Sequence, residues 1–218
     1  TDRTQELLIA LREGRNVVVL SDAGMPTISD PGFRLMRDAI AEKLEVHVIP
    51  GPSAPTMAIA LSGLPTDRFT FEGFAPRTSG ARISFYENLR FEERTMVVFE
   101  APHRLLESLQ DAASILGSNR PAAICREMTK TYEETIRGTI AELVQWAQNH
   151  EVLGEITLVF GGVEVGTHEK TSDEMVAKVR EYEAAGMDRK EAIATVAKEF
   201  DLPKKLVYAA VVESNKAN

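Results

Sequence analysis

Residues 16–32 read NVVVLSDAGMPTISDPG. The run NVVVL (16–20) is short, apolar and β-branched, the composition of a strand covered on both faces. SDAGMPTISDPG (21–32) then breaks the run as a loop. A helix is predicted over about 31–43, with Pro31 in its first turn and Asp30 as its N-cap. The same order follows at once. EVHVI (45–49) reads as a second strand, PGPSA (50–54) as a turn, and a helix runs to about 62, where Gly63 and Pro65 stop it. Strand–loop–helix twice over is the grammar of an α/β unit with parallel strands.

Working outward, residues 2–13 form an amphipathic helix with Leu7, Leu8 and Leu11 on one face and Gly14 at the stop. RFTFEGF (68–74) is a further strand, and the polar stretch APRTSGA (75–81) marks a boundary. A second α/β unit follows: helix 82–90, strand 95–99, helix 102–116, strand 122–126, a strand or loop over 131–138, helix 139–148 and strand 155–160. GGVEVGTHEKTS (161–172) is Gly-rich and polar. Helices are predicted over 173–185, 189–199 and 203–214. The expected organisation is an N-terminal α/β domain over 1–75, a second α/β domain over 76–163, a linker over 164–172 and a helical domain over 173–218. Two short helices joined by a tight turn have the outline of a helix-turn-helix; a small packing bundle has the same outline.

The 218 residues carry a net charge of −8, with 44% hydrophobic and 27% charged residues, an ordinary globular composition. Residues 166–218 hold 9 basic and 10 acidic side chains, against 16 and 23 in the remainder. The totals show no basic face for nonspecific nucleic-acid binding. No apolar run approaches the roughly 18 residues that span a bilayer. Cys125 is the single cysteine, so no internal disulfide forms, and a cytoplasmic location is expected. Dinucleotide-fold, P-loop and nucleophile-elbow signatures are missing from the sequence, and His47, His103, His150 and His168 lack zinc spacing. No metal is expected.

Ligands of open α/β sheets sit beyond the carboxyl ends of strands, so the loops there are the places to look. Asp22 follows a strand with Gly24 two residues on; a carboxylate there accepts from hydroxyl or amino groups, though an ordinary turn uses the same residues. PGPSA sets Ser53 at a helix N-terminus, suited to a carboxylate or to plain capping. EAPHR (100–104) gathers Glu100, His103 and Arg104, and REMTKTYEE (126–134) gathers Arg126, Glu127 and Lys130. These supply acid, base and cation. Read from the residues alone, this is a two-unit α/β enzyme with a ligand between the units.

SDAGMPTISDPG, VIPGPSA, LPTDRFTFEGFAP, FEAPHRLLESL, CREMTKTYEETIRG and GEITLVFGG, in that order and spacing, resemble the ribosomal RNA small-subunit methyltransferase I family of the tetrapyrrole methylase superfamily. The resemblance covers about 1–162, and the helical tail resembles the extra C-terminal domain of many members. It implies two α/β domains with S-adenosylmethionine in the cleft between them, a homodimer, and methyl transfer to the ribose 2′-hydroxyl of a decoding-region cytidine in small-subunit ribosomal RNA or the 30S subunit. Members open with a strand and a Gly/Pro loop not found here, so an incomplete first domain is expected.

Carried over by motif, the resemblance implies that Asp22, Ala23, Met25, Ser53, Ala54, Phe99, Glu100, Arg126 and Ile156 face the methyl donor. Arg77, Arg104 and Lys130 are the expected phosphate contacts. Glu100, His103 and Glu127 are candidate bases, and Lys130 is a candidate for lowering the hydroxyl pKa. Two other functions fit the residues: methylation of a tetrapyrrole or other small molecule, and a non-enzymatic helix-turn-helix nucleic-acid binder.

Overall fold

A computed structural model describes residues 2–22, 24–163, 167–200, 202 and 204–216. The chain divides into two compact units, Thr1–Gly162 and Val163–Asn218.

The first unit is mixed α/β, as expected, and centres on a five-stranded sheet. Its strands are β1 (Phe69–Phe74), β2 (Thr95–Glu100), β3 (Pro121–Arg126), β4 (Glu134–Thr139) and β5 (Ile156–Phe160), in spatial order β1-β2-β5-β3-β4. Only β1 and β2 run parallel; the pairs β2–β5, β5–β3 and β3–β4 are antiparallel. The strand 69–74, counted by sequence with the N-terminal domain, is thus the edge strand of the sheet that the later residues build.

Period-two alternation sorts the side chains of this sheet onto two faces. Met96, Val98, Ile124, Leu158 and Phe160 pack under α4 (Ser79–Leu89), α5 (Leu105–Leu116) and α6 (Ile140–Asn149). Val97, Ala123, Cys125 and Val159 pack with Ala58 and Ile59 of α3 (Ala54–Ser62). Both faces are covered, which is why the central strands are apolar throughout. Burial pushes the Cys125 thiol up to about 11, so it sits as a protonated, apolar side chain.

Polar groups fix the helices to this core. Arg82 is fully buried on α4, and its Nε donates to Asp111 Oδ2 of α5 at 2.7 Å. Arg137 Nε donates to the Leu61 carbonyl at 2.8 Å, at the C-terminal end of α3. Thr139 and Glu142 form a reciprocal capping box at the start of α6, worth about 1 kcal/mol.

The N-terminal part departs from expectation. Helices α1 (Asp2–Arg12) and α2 (Phe33–Ala41) form, and Leu8, Leu35 and Ala39 pack with Val17, Val19, Leu44 and Val46. Yet 16–20 and 45–49, read as strands, enter no strand pairing. Val18, Leu20 and Ile49 are 78%, 86% and 85% exposed. A strand needs a neighbour to satisfy its backbone, and among the described residues none is paired with these two. Asp30 is not the N-cap of α2 either; Gly32, at φ 117°, holds that position.

The second unit contains α7 (Thr167–Ala184), α8 (Arg189–Glu199) and α9 (Lys204–Lys216). Helix α7 starts inside the stretch 164–172 that reads as linker; residues 164–166 lie outside the described residues. Val179, Val196, Val207 and Val211 form its buried core, and Asp188 caps α8 by accepting from the Lys190 N–H at 3.0 Å.

Candidate active site

The strand directions place the C-terminal ends of β1, β2 and β3 and the N-terminal end of β5 along one edge of the sheet. A cleft of about 770 Å³ opens there. Its walls come from the loop 21–30, the start of α3, the ends of β1 and β2, the turn 128–130 and residues 154–157.

Among the residues predicted from the sequence, Asp22, Ala54, Phe99, Glu100, Lys130 and Ile156 line this cleft. Ala23 lies outside the described residues. Met25, Ser53, Arg77, His103, Arg104, Arg126 and Glu127 are not among the lining residues.

Phe99 is the hinge of an aromatic cluster. Its ring meets Phe71 at 4.8 Å and Phe74 at 5.3 Å, both edge-to-face. Phe74 is 56% exposed and lines the cleft with Ile28 and Met128, giving a partly apolar wall. At the opposite side, α3 begins with Pro55 among its first residues and Ser53 at the N-cap without a side-chain capping bond. The positive end of a helix dipole therefore faces the cleft at Ala54.

Glu100 ends β2 with its side chain fully buried. Its Oε1 accepts from the Ala101 N–H at 2.7 Å and from Arg104 Nε at 2.9 Å. Its Oε2 is buried without a hydrogen-bond partner among the described residues. Arg104 is thus drawn onto Glu100, while His103 is exposed on the 3-10 turn Pro102–Arg104.

Glu127 works as a latch. Its Oε1 accepts from the Glu155 N–H at 2.8 Å and from Lys130 Nζ at 2.9 Å, and its own N–H donates to the Glu155 carbonyl at 3.0 Å. The backbone N–H of Glu155, then the Lys130 ammonium, hold the Glu127 carboxyl below the usual carboxylate range. The same pairing raises the Lys130 ammonium, which also approaches Glu155 Oε2 at 3.3 Å. A depressed carboxylate is a weak base, and a raised ammonium does not release its proton. Gly154, at φ 88°, is required here: a Cβ would stand 2.4 Å from Glu127 Cγ. Arg126 is taken up by its cross-strand partner Glu134 at 3.0 Å. Arg77 is exposed on the loop before α4, where its carbonyl accepts from Arg82.

Backbone strain gathers in the same walls. Thr27, Ser29, Glu127 and Thr129 all hold positive φ (74°, 55°, 50° and 68°), each a sparsely populated state for a residue with a Cβ. Sequence reasoning missed Ile28, Phe74, Met128 and Gly154. Of these, Gly154 carried a signal, an isolated glycine just before a buried strand. No helix among the described residues is long and apolar enough to cross a membrane.

Comparison with known proteins fits this architecture. The family model for Tetrapyrrole (Corrin/Porphyrin) Methylases matches residues 1–144. The ribosomal RNA small subunit methyltransferase I of Mycobacterium tuberculosis is 46% identical over 215 residues, covering 98% of this chain and 74% of that protein. The proteins of the same name from Halalkalibacterium halodurans and Bacillus subtilis are 43% and 40% identical, covering 94% and 92% of this chain and 72% and 70% of theirs. In structure, the chain is similar to the methyltransferase CobJ, with a TM-score of 0.56, 18% identity, and coverage of 76% and 73% of the two chains. It is also similar to uroporphyrin-III C-methyl transferase from Thermus thermophilus complexed with S-adenyl homocysteine, with a TM-score of 0.50, 18% identity, and coverage of 72% and 71%. By the match of its family model and by its identity to these relatives over most of its length, the chain belongs to the ribosomal RNA small subunit methyltransferase I family of tetrapyrrole methylases.

Proposed function

We propose that this chain methylates small-subunit ribosomal RNA with S-adenosylmethionine as the donor, and that the acceptor is the 2′-hydroxyl of a cytidine in the decoding region. The observation that carries the reading is the 46% identity to a ribosomal RNA small subunit methyltransferase I over 98% of this chain.

The cleft fits a donor of that chemistry. Its volume, about 770 Å³, lies in the range of small-molecule sites. The α3 N-terminus at Ala54 suits a carboxylate, Asp22 suits ribose hydroxyls, and Phe74, Ile28 and Met128 offer apolar surface for a purine. The buried Oε2 of Glu100 is an acceptor in want of a donor, and leaving it so costs about 1–3 kcal/mol. S-adenosylmethionine, when bound, supplies an electrophilic methyl group on a sulfonium.

The residues of the chain then have to orient the acceptor and manage one proton. Alignment of this kind is worth about 7–11 kcal/mol. Of the four candidate catalytic side chains, Glu127 and Lys130 are spent on each other, and His103 is off the cleft wall. Glu100 keeps Oε2 without a hydrogen-bond partner among the described residues, but its side chain is fully buried and bonded to Arg104, so in this reading it orders the end of β2 and alignment carries the rate. Glu127 and Arg104 act as positioning residues, holding the turn 127–130 and Glu100. The reading also carries the expectation of a homodimer working in the cytoplasm.

The test is methyl transfer from labelled donor to unmodified small subunits and, separately, to naked ribosomal RNA, with the product mapped by resistance to alkaline cleavage. A single resistant cytidine in the decoding region supports the reading. Label in a tetrapyrrole and none in RNA overturns it.

A further inference from the structure

We propose that the helical unit carries a second RNA contact, formed by the exposed side chains that bracket the turn between α8 and α9. This inference rests on the reading of the chain as a ribosomal RNA methyltransferase. Lys198 stands in the last turn of α8, and Lys204 and Lys205 stand in the first turn of α9; all three are exposed. Tyr208 lies four residues after Lys204 and three after Lys205, on the same helix face, and is 59% exposed. Its neighbours Val207, Ala210 and Val211 fill the core of the unit, so packing does not need the tyrosine ring.

Four acidic residues of the unit are engaged with other partners. Glu181 pairs with Lys178 at 2.9 Å, Glu183 with Arg189 at 3.7 Å, Glu199 accepts from the Tyr182 hydroxyl, and Asp188 caps α8. The first two turns of α9 carry two lysines and no carboxylate. The face therefore presents positive charge beside an aromatic ring, on a chain whose net charge is −8. Phosphodiester charge and an unstacked base are the chemistry such a face recognises: lysines take phosphates, and the ring gives a base a stacking surface.

The test uses the full chain, with binding to a decoding-region RNA fragment measured across salt concentrations and steady-state methyl transfer measured alongside. Lys204→Gln with Lys205→Gln is expected to raise the KM for RNA, to reduce the log–log salt slope by about 1.4, two contacts at about 0.7 each, and to leave donor affinity unchanged. Tyr208→Ala is expected to weaken RNA binding about tenfold and Tyr208→Phe to restore it. An unchanged slope and KM in the lysine variant, in a parent that binds and methylates RNA, overturns the second contact while the methyltransferase reading stands; a protein-docking face gives this result. A parent that binds donor but neither binds nor methylates RNA overturns both.

Discussion

Two regions of the first unit start from the same kind of sequence and end differently. NVVVL and EVHVI in the N-terminal part are as β-branched and apolar as TMVVFE of β2 or ITLVF of β5. In the sheet, Val97, Val98, Leu158 and Val159 are fully buried between helices on both faces. In the N-terminal part, Val17 and Val19 tuck against α1 and α2 while Val18 and Leu20 face outward, unpaired. The alternation is that of a strand in both places. What differs is a neighbour: β5 is hydrogen-bonded on both sides, and 16–20 on neither. Strand propensity describes a fit to a sheet, and it becomes a strand only where the sheet exists.

This contrast orders a set of expected outcomes. The largest belongs to the sheet. Phe160→Ala empties a fully buried site on the central strand and removes the edge-to-face contact with Tyr86, and should cost about 3–5 kcal/mol in denaturant unfolding. Next comes the seam between sheet and cleft. Gly154→Ala puts a Cβ at positive φ against Glu127, and about 1–3 kcal/mol of strain should appear together with weaker donor binding, read by calorimetry. The acid limb comes third. The Arg94 guanidinium lowers the Glu92 carboxyl from 4.5 to about 2. A depressed carboxylate stabilises above its unfolded value and loses that contribution as pH falls through the folded one. Glu92→Gln should thus flatten the loss of stability between about pH 4.5 and 2. With the Arg94 side chain 40% exposed, solvent screening should keep the difference under about 1 kcal/mol. Smallest of all, Val18→Thr should change stability by no more than about 0.5 kcal/mol. A cost comparable to that of a buried position would mean that 16–20 is covered in solution.

Legibility followed the same line. Helices with a clear apolar period, such as that read over 102–116, and strands flanked by polar loops, such as that read over 95–99, stood out in sequence. Antiparallel pairing did not, because β2, β5 and β3 have the same pattern whichever way they run. About a quarter of the cleft lining, Asp22, Ala54, Phe99, Glu100, Lys130 and Ile156, was named from the loops at strand ends and the motif resemblance. The rest depends on partners distant in sequence. Glu127 reads as a base until Glu155, 28 residues on, is seen donating to it. Phe74 reads only as the end of a strand until its ring is found at the cleft wall. Arg82 carries no local sign of burial, which comes from Asp111, 29 residues on.

The central claim is that the cleft at the carboxyl edge of the sheet holds the donor for RNA methylation. Hydrogen exchange with and without saturating S-adenosylhomocysteine addresses it directly. Slower exchange in 21–30, 53–57, 99–102, 127–130 and 154–157, with the helical unit unchanged, is the result expected from this geometry. Bound ligand with protection elsewhere, and none in those five segments, would contradict it.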